Sequence, residues 1–378
     1  MKKFLALFLA TLLLTLSLTA TVSADANRKF DSKSVILMEA STGKVLLEDN
    51  ADSPLPPASV TKIMTLLIVM EAIENGKISF DDKVTVSNNA ASMGGSQVYL
   101  EPGEEMSVDE MIKCVVVSSA NDAAVALAEY VAGSEELFVE QMNKRAAELG
   151  MNNTHFENTN GLDDTVSNHV TSARDIAIMS RELIRHPKIL EYSSIWMDTI
   201  RDGAFTLTNT NRLIRFYSGA NGLKTGSTSK AGFCISATAL RDNMQLIAVV
   251  MGAPNRDTRN EIAKKLLDYG FASYSVASFE PRELEPIRLL GGLTDTVKIG
   301  YGEFSAIVGK GKASAVEKKI TIPENLTAPV REGDVVGEVE YLLDGEVIGK
   351  ADITALESAD KISYWGVLLG ILKKAVLL

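Results

Sequence analysis

A serine and a lysine three residues apart stand at the head of a long apolar segment. Residues 56–62 read PPASVTK, and residues 63–70 are almost wholly apolar. The two prolines disfavour helix before them, so we expect a helix to begin at about Ala58–Ser59, with Ser59 and Lys62 on one face. Burial would lower the pKa of Lys62, and a neutral amine beside a hydroxyl is a nucleophile–base pair suited to acyl transfer.

The S-x-x-K spacing is not specific on its own, because it occurs four times in this chain. Ser41 and Ser227 also have a lysine three residues on, as does Ser358 in a polar linker. Only Ser59 precedes a long apolar helix. The alternative interpretation is that Lys62 extends to the surface and that Ser59 only caps the helix.

A second polar run lies at a predicted break between two helices. Residues 118–122 read SSAND and separate the apolar residues 111–117 from an alanine-rich segment. Polar groups crowded between core helices are costly unless they are hydrogen-bonded or functional. Ser119 and Asn121 are therefore candidate partners of Ser59, although either could simply cap the second helix.

A third run, Lys224-Thr225-Gly226, occurs once and precedes the strand-like residues 232–239. A cation and a hydroxyl suit an extended, anionic ligand, and the adjacent glycine permits a close approach of the backbone. The alternative is an exposed lysine on an edge strand.

Other kinds of chemistry have little support in the sequence. His155, His169 and His186 are scattered, and the chain has no C-x-x-C and no G-x-S-x-G motif, so we expect no metal site, no Ser–His–Asp triad and no cofactor. The net charge of −11 and the pI near 5.0 argue against nucleic acid as a partner. Cys114 and Cys234 each lie in an apolar run and fit buried free thiols better than a disulfide.

The two ends of the chain have the composition of targeting segments. Residues 1–24 carry two lysines, an apolar stretch and a small-residue cleavage site, which predicts a signal peptide and export to the outer face of the cytoplasmic membrane; an uncleaved anchor is the alternative. Residues 361–378 form an apolar stripe with an aromatic pair and two late lysines, which predicts an amphipathic helix anchored at the membrane surface. The alternative is a terminal helix packed on the protein.

The periodicity between these ends predicts two domains. The predicted elements of the first are a hairpin at 34–48, helices at 60–74, 107–117, 121–132, 134–149, 172–185 and 257–274, and strands at 196–200, 204–207, 232–239 and 245–252. They indicate one sheet with a large helical insertion over residues 25–280. Short β runs and an Asp344-Gly345 turn predict a small all-β domain over residues 286–356.

The three polar runs, in this order, resemble the active-site motifs of penicillin-recognising serine enzymes. SVTK at 59–62, SAND at 119–122 and NGLKTG at 221–226 look like those of the serine D-alanyl-D-alanine carboxypeptidases, the low-molecular-mass penicillin-binding proteins of peptidase family S11. The resemblance covers about residues 30–275 closely and extends to the β domain and the tail in organisation. It implies an α/β (α+β) fold of the penicillin-binding/β-lactamase type, with an antiparallel sheet flanked by helices.

The resemblance also implies a division of roles at the nucleophile. Ser59 would attack the carbonyl of the penultimate D-Ala of a peptidoglycan stem peptide, and Lys62 would take its proton. Ser119 would relay a proton toward the leaving D-Ala amine, and Asn121 would position the substrate and the Lys62 side chain.

The third run would bind the end of the substrate. By the same resemblance, Lys224 would keep Lys62 neutral and draw in the terminal carboxylate, which Thr225 would bind, with Arg259 as a second contact by family alignment. Gly226 would let the substrate strand approach, and the backbone N–H groups of Ser59 and Ser227 would form the oxyanion hole. Water would then hydrolyse the acyl-enzyme, and β-lactams would acylate Ser59 as mimics of the stem peptide.

Two departures and two alternatives accompany this interpretation. Ser227 stands where some members have histidine, and Thr210 aligns approximately with a family arginine, with Arg212 close by. A class A β-lactamase would need a glutamate before K-T-G, for which Glu157 is the only candidate, and its spacing to asparagine is one residue short. The other alternative is a non-catalytic protein that binds peptidoglycan or β-lactams through a decayed site.

Overall fold

The computed structural model describes residues 30–367. The predicted signal peptide and residues 368–378 of the predicted anchor lie outside the described residues. Within residues 30–367, no helix is both long and apolar enough to cross a membrane.

The chain opens with the predicted hairpin, which the structure confirms. Strands β1 (Ser34–Glu39) and β2 (Val45–Asp49) pair antiparallel. The buried carboxylate of Glu39 accepts hydrogen bonds from the backbone and hydroxyl groups of Ser41 and Thr42, which fixes the turn. Gly43 completes it with φ +71°, a conformation that favours glycine.

The helical insertion and the rest of the sheet follow. The helices are α1 (Lys62–Glu74), α2 (Asn88–Ala91), α3 (Val108–Val117), α4 (Asn121–Ala132), α5 (Glu135–Glu148), α6 (Ala173–Leu183), α7 (Pro187–Ser193), α8 (Leu213–Phe216) and α9 (Arg256–Ser273). The strands are β3 (Lys83–Thr85), β4 (Glu105–Ser107), β5 (Met197–Ile200), β6 (Phe205–Thr208), β7 (Ala220–Thr228), β8 (Gly232–Arg241) and β9 (Met244–Ala253). All the helices and strands predicted for this part of the chain are present, with ends displaced by a few residues at most.

Local sequence signals set several of these ends. The hydroxyl of Ser134 accepts a hydrogen bond from the backbone of Leu137 at the start of α5, and Ser107 does the same for α3. Such caps satisfy backbone N–H groups that have no partner within the helix. Gly133 ends α4 in the left-handed conformation, with φ +89°.

The main sheet has the strand order β2-β1-β9-β8-β7 and is antiparallel throughout. Strand β9 is buried along almost its whole length, so both its faces are covered. Helices α6 and α9 pack against it, and α1 packs against α4, α5 and α6. Residues 62–70 of α1 are all buried, which places this helix in the middle of the core.

Strand β7, which carries Lys224-Thr225-Gly226, was not predicted. Residues 220–228 (ANGLKTGST) lack the apolar alternation and β-branched content of an ordinary strand, so the predicted strand begins only at residue 232. Pairing with β8 along one edge holds β7 in the sheet. The site motif therefore lies in an edge strand itself rather than before one.

The C-terminal part is all β, as predicted. Its strands are β10 (Tyr274–Phe279), β11 (Arg282–Glu283), β12 (Ile287–Leu290), β13 (Thr296–Val297), β14 (Ile299–Tyr301), β15 (Phe304–Gly309), β16 (Glu317–Thr321), β17 (Asn325–Thr327), β18 (Val335–Leu343) and β19 (Glu346–Ala355). The predicted Asp344-Gly345 turn joins β18 and β19 with positive φ at both residues. Tyr341 stacks on Phe304 at the centre of this part, and Phe279 and Ala359 also pack into its core. The predicted α/β (α+β) fold, with an antiparallel sheet, a helical insertion and a small all-β domain, is confirmed.

Candidate active site

Ser59 lies in a short 3₁₀ turn, Ala58–Thr61, which leads directly into α1. It lines a cleft of about 590 Å³ between the helical insertion and β7. The preceding residue, Ala58, has φ +50°, in the left-handed region that non-glycine residues rarely adopt. The nucleophile candidate is therefore presented by a tight and strained turn.

Lys62 is the first residue of α1 and is fully buried. Its Nζ lies 2.9 Å from Ser59 Oγ and donates to Asn121 Oδ1 at 2.6 Å and to the Asn160 carbonyl oxygen at 2.7 Å. Burial, followed by the positive charge of Lys224, holds the pKa of Lys62 well below its ordinary value. The alternative in which Lys62 reaches the surface is wrong.

The hydrogen bonds of Lys62 fix the direction of its lone pair. A neutral amine has two N–H bonds and one lone pair, and two of its three partners here are obligate acceptors. Both N–H bonds are used on Asn121 and Asn160, so the lone pair faces the hydroxyl of Ser59. This geometry lets Lys62 accept the Ser59 proton.

Ser119 and Asn121 flank the start of α4. Neither caps it, because Ala120 occupies the N-cap position and makes no side-chain cap hydrogen bond. Ser119 lines the cleft with φ +62°. The amide nitrogen of Asn121 donates to the Gly94 carbonyl oxygen at 2.6 Å, which turns its oxygen toward Lys62.

Strand β7 forms the opposite wall of the cleft. Lys224 is only 1% exposed, so the alternative of an exposed edge-strand lysine is wrong. Burial, and secondarily the charge of Arg259, lowers the pKa of Lys224 to about 7. The hydroxyl of Thr225 lies in the cleft wall and donates to Thr210 Oγ1 at 2.8 Å. Gly226 and Ser227 also line the cleft.

Three arginines line the end of the cleft beyond Thr225. Arg259 comes from α9, is buried, and donates to Asn260 Oδ1 at 2.9 Å. Burial and the nearby Arg256 and Arg212 lower its pKa to about 10. No aspartate or glutamate lines the cleft, so the described wall is cationic although the whole chain carries a net charge of −11.

Some functional contacts were not predicted from the sequence. The carbonyl of Asn160 holds Lys62, and Gly161 allows this segment to approach, because a Cβ at residue 161 would lie 1.9 Å from the Ala58 carbonyl oxygen. The only signal was the short Asn160-Gly161-Leu162 run, to which no catalytic role was assigned. His169, expected to be unremarkable, is buried and contacts the hydroxyl of Thr61 at 2.8 Å.

Cys114 and Cys234 are buried free thiols, as the sequence favoured. Burial raises the pKa of Cys234 to about 11, so its thiol stays protonated. Across the described residues, no cluster of His, Cys, Asp and Glu side chains could hold a metal ion.

Comparison with known proteins places this geometry in a family. A model of the D-alanyl-D-alanine carboxypeptidase family (peptidase S11) matches residues 19–255, and a model of the penicillin-binding protein 5 C-terminal domain matches residues 282–361. The D-alanyl-D-alanine carboxypeptidase DacF of Bacillus subtilis (strain 168) is 43% identical over 341 residues, which cover 88% of this chain and 87% of that protein.

Solved structures give the same result. The crystal structure of penicillin-binding protein 5 from Haemophilus influenzae is 34% identical, with a TM-score of 0.78, and covers 89% of this chain and 100% of that one. Penicillin-binding protein D2 from Listeria monocytogenes, solved in its ampicillin-bound form, is 32% identical, with a TM-score of 0.60, and covers 65% of this chain and 100% of that one.

Proposed function

The chain belongs to the D-alanyl-D-alanine carboxypeptidase family (peptidase S11), and on that premise we propose that it removes the terminal D-Ala of peptidoglycan stem pentapeptides through an ester on Ser59. The observation that carries this proposal is the 2.9 Å approach of Lys62 Nζ to Ser59 Oγ, with the lysine buried and its other two partners obligate acceptors. A base with a lowered pKa in contact with a hydroxyl is what acylation of a serine requires.

Acylation begins with transfer of the Ser59 proton to the lone pair of Lys62. Ser59 Oγ then bonds to the carbonyl carbon of the penultimate D-Ala, and the carbonyl oxygen becomes an oxyanion. The backbone N–H groups of Ser59 and Ser227 stabilise this oxyanion. The close packing of Gly226 on the Ser59 backbone supports this pairing of donors, because it holds the 3₁₀ turn against β7.

The proton then leaves Lys62 for the nitrogen of the departing D-Ala, through the hydroxyl of Ser119. The C–N bond breaks, free D-Ala leaves, and Lys62 is neutral again. Asn121 keeps the amine aimed at Ser59 throughout, because its own amide is fixed by Gly94. In deacylation Lys62 takes a proton from a water molecule as the water oxygen attacks the ester carbonyl carbon, and it returns that proton to Ser59 Oγ as the ester bond breaks and the shortened peptide leaves.

The cationic end of the cleft binds the terminal carboxylate. The Thr225 hydroxyl turns from Thr210 to donate its proton to the carboxylate, Lys224 supplies positive charge, and Arg259 supplies a guanidinium held in place by Asn260. Arg212 also lines this end of the cleft. It supplies the positive charge that the family arginine aligned with Thr210 would otherwise provide. β-Lactams present a carboxylate and a strained carbonyl in the same relationship, so they acylate Ser59.

The alternatives have less support. Glu157, the residue a class A β-lactamase would need, does not line the cleft, and its carboxylate accepts hydrogen bonds from the backbone of Ser167 and Asn168. A decayed binding protein would not need a buried lysine aligned with a serine, which is costly to maintain.

The domain organisation is proposed from the sequence. A signal peptide at 1–24 exports the chain, residues 25–280 form the catalytic domain, and residues 286–356 form the β domain. An amphipathic helix at 361–378 holds the protein at the outer face of the cytoplasmic membrane, next to its substrate.

Release of D-Ala from a synthetic stem pentapeptide tests the activity directly. The purified chain is expected to liberate one D-Ala per peptide, and Ser59→Ala is expected to liberate none. Rapid multiple turnover of penicillin without D-Ala release would instead identify a β-lactamase. Binding of both ligands without turnover of either would identify a non-catalytic binding protein.

A further inference from the structure

A buried chain of hydrogen bonds joins His169 to the residue before the nucleophile. The backbone N–H of Glu157 donates to His169 Nδ1 at 3.0 Å. Because Nδ1 accepts, the ring proton is on Nε2, which donates to Thr61 Oγ1 at 2.8 Å. The Thr61 hydroxyl in turn donates to the Ala58 carbonyl oxygen at 2.9 Å. In this series of hydrogen bonds Nδ1 accepts, Nε2 donates, and the Thr61 hydroxyl accepts one bond and donates the next.

The carbonyl at the end of the chain is held in an unfavourable conformation. Ala58 has φ +50°, which costs energy for a residue with a Cβ. Gly161 packs directly against the same carbonyl, since a Cβ at residue 161 would lie 1.9 Å from its oxygen. The Thr61 hydroxyl contacts this oxygen too, so hydrogen bonding and packing together fix its direction.

Fixing this carbonyl also fixes the nucleophile's backbone. The Ala58 carbonyl and the Ser59 N–H belong to one planar peptide unit, so they can turn only together. The Ser59 N–H is one of the two oxyanion donors in the proposed mechanism. Its direction relative to the substrate carbonyl therefore depends on where the Ala58 oxygen is held.

We propose that His169 and Thr61 are positioning residues that aim the Ser59 N–H at the oxyanion. They touch no substrate atom and act only through the Ala58–Ser59 peptide. This inference rests on the proposed acylation of Ser59. It assigns a role to a histidine that takes no part in the Ser–Lys proton transfer.

The surroundings of the ring keep it in the required form. Phe156 contacts the ring edge-on, with centroids 5.7 Å apart. Burial lowers the pKa of His169 to about 4, against the opposing charges of Glu157 and Asp163 and with a small contribution from His155. The ring is therefore neutral at ordinary assay pH, as the acceptor role of Nδ1 requires.

Three substitutions on α1 and the turn before it provide the test. Thr61→Val removes the hydroxyl at nearly constant volume, and Thr61→Ser restores it. Thr65→Val is the matched control, because Thr65 is equally buried and its hydroxyl donates to the Thr159 carbonyl oxygen at 2.6 Å rather than to Ala58. The full chain in detergent is mixed with a fluorescent penicillin, and the acylation rate constant, the half-saturating concentration and the melting temperature are measured.

Thr61→Val is expected to slow acylation about 10- to 100-fold, with little change in half-saturation, because misdirection of one oxyanion donor acts on the transition state. Thr61→Ser is expected to recover most of that loss. Thr65→Val is expected to lower the melting temperature and leave the acylation rate as in the parent. Parental acylation in Thr61→Val, or equal slowing in Thr65→Val, would overturn the inference.

His169 gives an independent comparison that also covers failure of Thr61→Val to fold. His169→Gln keeps an amide donor for Thr61, whereas His169→Leu removes it. We expect slow acylation only in His169→Leu, and no further slowing when it is combined with Thr61→Val. If the losses in acylation rate were additive, His169 and Thr61 would not act through one series of hydrogen bonds. If the parent itself is not acylated, the proposed function fails; if the parent reacts and all variants match it, only this inference fails.

Discussion

Gly226 packs so closely on Ser59 that a Cβ atom at residue 226 would lie 2.7 Å from the backbone nitrogen of Ser59. The same Cβ would lie 2.9 Å from the nitrogen of Val60 and 3.0 Å from the Cβ of Ala58. Backbone atoms cannot yield as a flexible side chain can. The 3₁₀ turn and β7 can therefore approach this closely only because residue 226 has no side chain.

Gly226→Ala is therefore expected to displace the nucleophile. We expect acylation by penicillin to fall at least about 100-fold, because a small misplacement of reacting groups has a large effect on rate. Gly302→Ala is the control, since a Cβ at residue 302 has no atom within 4 Å and no positive φ. The acylation rate of both variants is measured by stopped flow, and a parental rate in Gly226→Ala would show that the 3₁₀ turn and β7 are not held this tightly.

The two buried lysines give the reaction a defined pH dependence. Burial and the charge of Arg259 bring the pKa of Lys224 to about 7, so it is charged below that pH and neutral above it. Lys62, with a pKa held well below its ordinary value, is the neutral base. The KM for a peptide with a free carboxylate should therefore rise as pH rises through about 7. The kcat should instead follow the protonation state of the Lys62 amine.

Lys224→Met isolates this effect. Removing the charge is expected to raise KM below about pH 7 to the value that the parent reaches above it, and to abolish the increase with pH, since no group is left there to lose its proton. Steady-state assays between about pH 5 and about pH 10 measure both constants. If the KM of Lys224→Met still rises through neutral pH, the increase is caused by the titration of another group.

Arg212 is predicted to contribute to carboxylate binding. It would take the place of the family arginine that aligns approximately with Thr210. Its side chain is exposed at the cleft and, among the residues that the structure describes, forms no ion pair with a carboxylate. Arg212→Ala should raise KM about three- to tenfold for a peptide with a free carboxylate, in line with an exposed charge-assisted contact.

A substrate with an amidated C-terminus provides the control for that prediction. Its turnover should be equal in the parent and in Arg212→Ala, because the group that Arg212 recognises is missing. Arg185→Ala, which removes a surface arginine paired with Glu182, should leave both substrates unaffected. A similar loss with the amidated peptide would mean that Arg212 shapes the cleft rather than binds the carboxylate.

The sequence predicted the nucleophile end of the site well because the signals there are local. Two prolines, a serine and an apolar run of helical length locate the start of α1, and Lys62 follows from the helical spacing. The apolar periodicity also predicted the ends of the insertion helices to within a few residues. These features depend on neighbours in the chain, which a single sequence contains.

The rest of the site depends on contacts between distant parts of the chain. Asn160 holds Lys62 through a backbone carbonyl, which has no signature in residue type, across 98 positions. The contact of His169 with Thr61 spans 108 positions. Strand β7 lacked the apolar pattern of a strand because its side chains serve the cleft. Only the packed fold brings these groups together.

The tail beyond the β domain gives the last prediction. Ile362 donates its N–H to the Gly291 carbonyl oxygen, and Lys361 forms a β-bridge with Gly292, so the chain is tied to the β domain up to this point. Tyr364 and Trp365, just beyond it, are 80% and 69% exposed. The predicted anchor of residues 361–378 therefore has its first aromatic pair free for a membrane surface.

A stop after Ser363 removes the aromatic pair and the apolar tail but keeps both contacts with the β domain. We expect the truncated protein to move from the membrane fraction to the soluble fraction, with D-Ala release in solution unchanged, because apolar burial in the interface drives binding. Trp365→Glu in the full chain should weaken association with lipid vesicles in the same direction. A truncated protein that still sediments with membranes would show that another surface holds it there, and would reject the C-terminal anchor.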